Sequence, residues 1–260
     1  MEPLVKVKKH VPSGTIIMNR PDKRNPLSRR MIDELRQAFD DLHQERRVRA
    51  VILTGAGSSF CSGADLREIK DSSGHDTAWA QWHEDAVQYK ELLEAILLYP
   101  KPVIAAVNGP AVASGAGLVL AADITLATPE ARFGVLEPRR GLVAGMVAPL
   151  LAFRVGGGLA ANLLLTARLI EAAEAHRHGI YHELTAFETI WARAQQVSEE
   201  CARSAAESLQ LTKKMLNETI GEHLNTSLAA GAAASATART TEAAAEGLTA
   251  FLEKREPKWP

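Results

Sequence analysis

Two short segments constrain this chain more than anything else in it. They are Phe60-Cys61-Ser62-Gly63-Ala64-Asp65-Leu66 and Val107-Asn108-Gly109-Pro110-Ala111-Val112-Ala113-Ser114-Gly115-Ala116-Gly117. Each follows an apolar run suited to a buried strand, residues 50–53 in the first case and 103–107 in the second, and each turns through small residues into a helix start. A strand that feeds a Gly/Ser/Ala turn and then a helix leaves backbone N–H groups unpaired at the helix N-terminus. Two such turns side by side supply a pair of donors for one developing oxyanion. The pattern points to chemistry at a carbonyl that needs neither metal nor prosthetic group.

The surrounding chain repeats the strand-turn-helix rhythm. Residues 4–9 and 15–18 read as strands around Pro12-Ser13-Gly14, and residues 19–26 as a charged, proline-bracketed loop. Ser28 caps a helix to about residue 45, with Met31, Leu35, Ala38, Phe39 and Leu42 on one stripe. A strand follows over 48–54. Residues 67–78, polar and carrying His75 and Asp76, read as a mobile loop. The pattern then predicts a helix over 79–99 stopped by Pro100, strands over 103–107 and 124–127, a helix over 114–122 between them, and an extended piece at 131–133. From residue 145 helical patterns dominate, at 145–154, 157–166, 171–178, 186–203, 205–220 and 239–254, interrupted only at 180–184. The Ala-rich stretch 229–245, flanked by Leu224, Leu228, Leu248, Phe251 and Leu252, reads as close-packed helices. The fold class is α/β, with a core over 1–190 and a helical region over 191–260.

Charge and cysteine content exclude several classes. Thirty Lys and Arg against 31 Asp and Glu leave a formal charge of −1, with no footprint for nucleic acid or an anionic membrane. Cys61 and Cys201 are too few for a disulfide framework, and no Cys/His spacing suits zinc. Without the apolar core of a signal peptide near Met1, the expectation is a cytoplasmic protein. The stretch from Val103 to Ala122 carries no charge, but Asn108, Gly109, Pro110, Ser114, Gly115 and Gly117 make it a buried strand, turn and helix rather than a membrane span.

Several further motifs stand in order with these turns: Ile17-Met18-Asn19-Arg20-Pro21-Asp22-Lys23-Arg24-Asn25-Pro26-Leu27, Val51-Ile52-Leu53-Thr54-Gly55, Lys101-Pro102-Val103-Ile104-Ala105-Ala106-Val107-Asn108-Gly109, Ala131-Arg132-Phe133-Gly134 and Ala250-Phe251-Leu252-Glu253-Lys254-Arg255. With them the chain resembles the crotonase (enoyl-CoA hydratase/isomerase) superfamily over nearly its whole length. The resemblance implies a crotonase-like spiral of ββα turns with a helical C-terminal trimerisation region, assembled as a homotrimer or a dimer of trimers. It implies an acyl-CoA or enoyl-CoA substrate, with coenzyme A as part of that substrate and no separate cofactor. The thioester carbonyl would lie between the amides of Ala64 and Ser114. Lys23, Arg24, Leu27, Ser62, Asp65 and Leu66 would meet the CoA arm, and Phe251 and Lys254 would close its site, often from a neighbouring subunit. Asp65 also suits a helix cap, Asp123 a buried structural acceptor, and Cys61 plain packing.

Two-glutamate hydratases of this family place one carboxylate after the second oxyanion turn and another in a Phe-Gly-x-x-Glu context. Here Phe133-Gly134-Val135-Leu136-Glu137 supplies the second, while Gly117 stands at the first. A single carboxylate can still shift one proton between two carbons, activate water for a slower hydration, or serve thioester hydrolysis. Glu137 in an apolar pocket would have a raised pKa. Its alternative is a surface carboxylate paired with Arg139 or Arg140. Two rival functions stay open: a non-catalytic acyl-CoA binder, and a serine hydrolase using Ser114 with His75, His83 or a more distant residue as base, although Ser114 lacks a Gly-x-Ser-x-Gly elbow.

Overall fold

Strand residues alternate between two buried faces, and this makes a parallel sheet the centre of the molecule. The computed structural model describes residues 2–73 and 77–259. In β3 (Ala50–Gly55) and β4 (Val103–Val107), Val51, Leu53, Val103, Ala105 and Val107 enter the main core. Ala50, Ile52, Ile104 and Ala106 face the opposite side. Burial on both faces is why these strands read as unbroken apolar runs. Val51 aligns with Val103 and Thr54 with Ala106 in parallel register.

The edge hairpin β1 (Val5–His10) and β2 (Ser13–Met18) is antiparallel, and β2 then runs parallel to β3. A smaller sheet joins β5 (Ala111–Val112), β7 (Phe133–Gly134) and β8 (Leu169–Ile170). Beyond β4 the large sheet continues through β6 (Ile124–Ala127) and β9 (Glu183–Leu184), in the order β1-β2-β3-β4-β6-β9.

The core-facing helices are α1 (Arg29–Gln44), α3 (Ala78–Leu97), α4 (Ser114–Ala121) and α5 (Val147–Val155). Ser28 caps α1 by accepting from Met31 N at 3.2 Å, and the predicted apolar stripe is buried. After α6 (Gly157–Thr166) and α7 (Ala172–Arg177), α8 (Ile190–Ala202) covers the second sheet face with Ile190, Ala194 and Val197. Then α9 (Ala206–Lys214) leads through a π-helical turn, Met215–Ile220, to α10 (Leu224–Ala238) against α3 and to α11 (Glu242–Glu253). The Ala-rich stretch is therefore two helices with a break at residues 239–241, where Thr241 caps α11 by accepting from Ala244 N at 3.1 Å.

The expected loop at 67–78 needs correction. Residues Leu66–Asp71 form helix α2, because Asp65 supplies the N-cap and accepts from Arg67 N at 3.3 Å. His75 and Asp76 lie outside the described residues. Asp123 is a structural acceptor, as expected: Oδ2 takes hydrogen bonds from Val103 N and from Lys213 Nζ, each at 2.7 Å. Lys213 is buried and also donates to the Ile96 carbonyl at 3.0 Å, which ties α9 to α3 and the sheet. No described helix is long and apolar enough to cross a membrane.

Candidate active site

Leu27 sets the first turn. Its N–H donates to the Gly63 carbonyl at 2.8 Å and its carbonyl accepts from Asp65 N at 2.9 Å, so the intervening Ala64 amide is left free. Ser114 opens α4 and is the first residue of the second turn's helix. Among the described residues neither the Ala64 nor the Ser114 amide donates a hydrogen bond. Gly63 is where the turns touch. Its φ is +92°, and a Cβ there would lie 2.8 Å from Ala113 Cβ and 3.4 Å from Ser114 N. Ala113 itself is held at φ 53° and ψ −128°, a conformation that costs an alanine about 1–3 kcal/mol. Its amide is anchored to the Gly134 carbonyl at 2.8 Å.

Ala64 and Ser114 line a cavity of about 220 Å³, and both also border an adjoining chamber of about 50 Å³. Glu137 opens a 3-10 turn, Glu137–Arg140, directly after the β7 edge, and is buried in the wall of the larger cavity. Its Oε2 has no hydrogen-bond partner among the described residues. Burial pushes the carboxyl up to about 7, against weaker opposition from its own backbone amide and that of Leu136. The surface-pair alternative fails. Arg139 is exposed, and the Arg140 guanidinium stacks 4.3 Å from the Phe251 ring of α11, so neither arginine turns back to Glu137. Glu137 is also the one carboxylate among the described residues in the wall of the larger cavity.

Residues 13–260 match the family described as enoyl-CoA hydratase/isomerase. The chain belongs to this family. It is 40% identical over 257 residues to a putative enoyl-CoA hydratase of Thermus thermophilus, covering 98% of this chain and 100% of that one. It is 31% identical to the 1,2-epoxyphenylacetyl-CoA isomerase of Escherichia coli, over 96% of each. Among solved structures it is similar to an enoyl-CoA hydratase/isomerase of Xanthobacter autotrophicus Py2, with a TM-score of 0.88 at 25% identity over 99% and 98% of the two chains. The crotonase fold and an acyl-CoA enzyme of the hydratase/isomerase type therefore stand.

Against that family pattern, Gly117 has a physical partner. The hydroxyl of Tyr89, from α3, lies 2.0 Å from where a Gly117 Cβ would be. The same hydroxyl donates to the Ser114 carbonyl at 2.6 Å, inside the second turn. Burial, and then the nearby Glu137, hold the Tyr89 phenol well above its ordinary pKa, so it stays a neutral donor. A tyrosine thus occupies the space that a side chain at Gly117 would need.

The structure gathers most of the sequence-predicted residues. Arg24, Ser62, Ala64, Leu66, Ser114, Glu137 and Phe251 line the larger cavity. Leu27 and Asp65 line the smaller one, with Asp65 held 3.0 Å from Arg20. Lys23 and Lys254 are exposed and line neither. Phe251 comes from this same chain. Cys61 is fully buried and its thiol is pushed up to about 12 by burial, which suits packing alone. No histidine of the described residues lines either cavity, and His83 stacks on Trp79, so Ser114 lacks a base there. Tyr89 and Arg239 were absent from the sequence-predicted set. Tyr89 was within reach, because Trp82, Ala86, Tyr89, Leu93 and Ile96 form a buried stripe at helical spacing; nothing local marks Arg239.

Proposed function

We propose that this chain moves a carbon–carbon double bond along an acyl-CoA ester. The thioester carbonyl accepts from the Ala64 and Ser114 amides, and Glu137 takes a proton from one carbon and returns it two carbons away. The observation that carries this reading is the lone buried carboxyl. Glu137 has one oxygen without a partner, a pKa near neutrality, and Tyr89 where a second carboxylate would need room. Removing the proton sends charge to the thioester oxygen, where two fixed amides meet it; loss of one such donor costs about 3 kcal/mol. A carboxyl near pH 7 is both ionised enough to accept a proton and acidic enough to give it back.

Arg24, Ser62 and Leu66 at the cavity wall, together with Phe251, suit the CoA arm, and the exposed Lys23 and Lys254 suit its phosphates. Leu27 and Asp65 act by shaping the first turn. Residues 191–260 carry exposed Leu211, Met215 and Leu216, which supports a homotrimer or dimer of trimers.

The test follows wild type and Glu137→Ala with 2-enoyl-CoA and 3-enoyl-CoA of matched length, by conjugated-enoyl absorbance and product mass. Conjugation of the 3-enoyl ester without added water, lost in the variant, is expected. Water addition to the 2-enoyl ester as the faster reaction would replace isomerisation with hydration, the activity in the Thermus relative's name. No turnover of either, with tight ester binding, would remove both.

A further inference from the structure

Arg239 follows the last residue of α10 and lies in the wall of both cavities. Its side chain is only 11% exposed, and its one ion pair among the described residues runs from Nη1 to Asp85 Oδ2 at 3.5 Å, without hydrogen-bond geometry. Asp85 does not need it. That carboxylate already accepts from Arg29 Nε at 2.6 Å, Arg29 Nη2 at 3.0 Å and Gln81 Nε2 at 3.0 Å. A guanidinium carries its donors in a rigid fork, and leaving the buried Nη1 without a hydrogen bond is costly. The smaller chamber's other carboxylates are engaged elsewhere, Asp65 with Arg20 at 3.0 Å and Glu68 with Arg29 N at 2.9 Å, and Ile69 and Met146 beside them are apolar. An unbranched hydrocarbon chain would leave the fork unpaired.

We infer that the acyl pocket receives a chain ending in a carboxylate, which pairs with the Arg239 guanidinium, so that the substrate is the CoA monothioester of a dicarboxylic acid. This rests on the acyl-CoA reading above. The thioester end is held at Ala64 and Ser114, and Arg239 lines the chamber that both turns border. A planar carboxylate matches the guanidinium fork, and the pairing supplies what Asp85, already engaged by Arg29, does not.

The test is isothermal titration of the full chain with saturated, non-reacting CoA thioesters. Each ω-carboxyacyl ester is paired with its methyl-terminated counterpart across a series of chain lengths. At the length that spans the pocket, the wild type should bind the carboxylate form about tenfold tighter or more. The ratio should collapse toward one in Arg239→Gln and persist in part in Arg239→Lys, which keeps charge without the fork. If Arg239→Gln does not fold, the wild-type ratio and the Lys variant decide. No carboxylate preference at any length, or a preference that survives Arg239→Gln, overturns the subsite while acyl-CoA binding stands. Failure of every thioester to bind removes the acyl-CoA reading and the subsite together.

Discussion

Gly117 and Tyr89 should behave as one unit, and a double-mutant cycle measures it. Gly117→Ala puts a Cβ 2.0 Å from Tyr89 Oη and 3.3 Å from Val147 Cγ2. Overpacking of this kind costs about 1–3 kcal/mol. Swinging the phenol away to relieve it breaks the bond to Ser114 O, worth about 1 kcal/mol more. Replacing glycine by alanine inside α4 returns about 1 kcal/mol of helix propensity. The single variant should therefore lose about 1–3 kcal/mol. Tyr89→Phe alone should cost about 1 kcal/mol for the same hydrogen bond. In the phenylalanine background the nearest ring atom is Cζ at 3.3 Å, a contact that small shifts absorb, so the alanine should be neutral or gain up to about 1 kcal/mol. The coupling energy is then about 2 kcal/mol, read from urea midpoints at unchanged m-value. Additive effects in the two backgrounds would show that Gly117 is not shaped by Tyr89, and the account of the missing carboxylate would fall.

Glu137→Gln should abolish turnover while retaining ester binding, and wild-type kcat/KM should fall as pH drops below about 7, where the base becomes protonated. The same shift has a stability consequence. Because the folded carboxyl holds its proton more tightly than a solvated glutamate, whose pKa is near 4.5, stability falls as pH rises from about 4.5 through about 7, by about 3 kcal/mol in all. Glu137→Gln, with no charge to desolvate, should show a flatter profile in chemical denaturation at pH 5 and pH 8, and an unchanged slope would refute the burial argument. Gly63→Ala should cost upwards of about 2 kcal/mol and most of the activity, since it adds a Cβ against Ala113 at positive φ; thermal melts and kinetics check both. Lys213→Met leaves the Asp123 carboxylate without its cation in a largely buried setting and should destabilise by about 3–5 kcal/mol, whereas a loss under 1 kcal/mol would mean that solvent compensates.

The parts of this molecule that could be read from the chain are those in which local sequence and final environment coincide. The strands β3 and β4 are apolar at every position because both faces are covered, and the small residues at 63, 64 and 113–117 leave little choice but a tight turn. Ser28, Thr241 and the α1 stripe are similarly local. The helix α2 was misread because its signal is one capping aspartate followed by polar residues, and its support comes from elsewhere: Glu68 accepts from Arg29 N at 2.9 Å, and α11 lies against it. Burial, not neighbouring residues in sequence, also decides the state of Glu137. Pro138-Arg139-Arg140 alone suggests a solvated ion pair, whereas in the fold Arg140 stacks on Phe251 of α11 and Arg139 lies at the surface.

The division between legible and hidden residues follows the origin of the cavity walls. Oxyanion donors are backbone groups, so a turn sequence is enough to announce them. Tyr89 and Arg239 come from α3 and the end of α10, which are far apart in the sequence and meet only when α10 folds back along α3. Tyr89 is an ordinary member of a buried helical stripe until Gly117 is seen opposite its hydroxyl. Arg239 is an ordinary basic residue after an Ala-rich helix until Asp85 is seen to be already engaged by Arg29 and Gln81. The cavity walls beside the two turns thus come from helices whose contacts, rather than whose local patterns, carry the information.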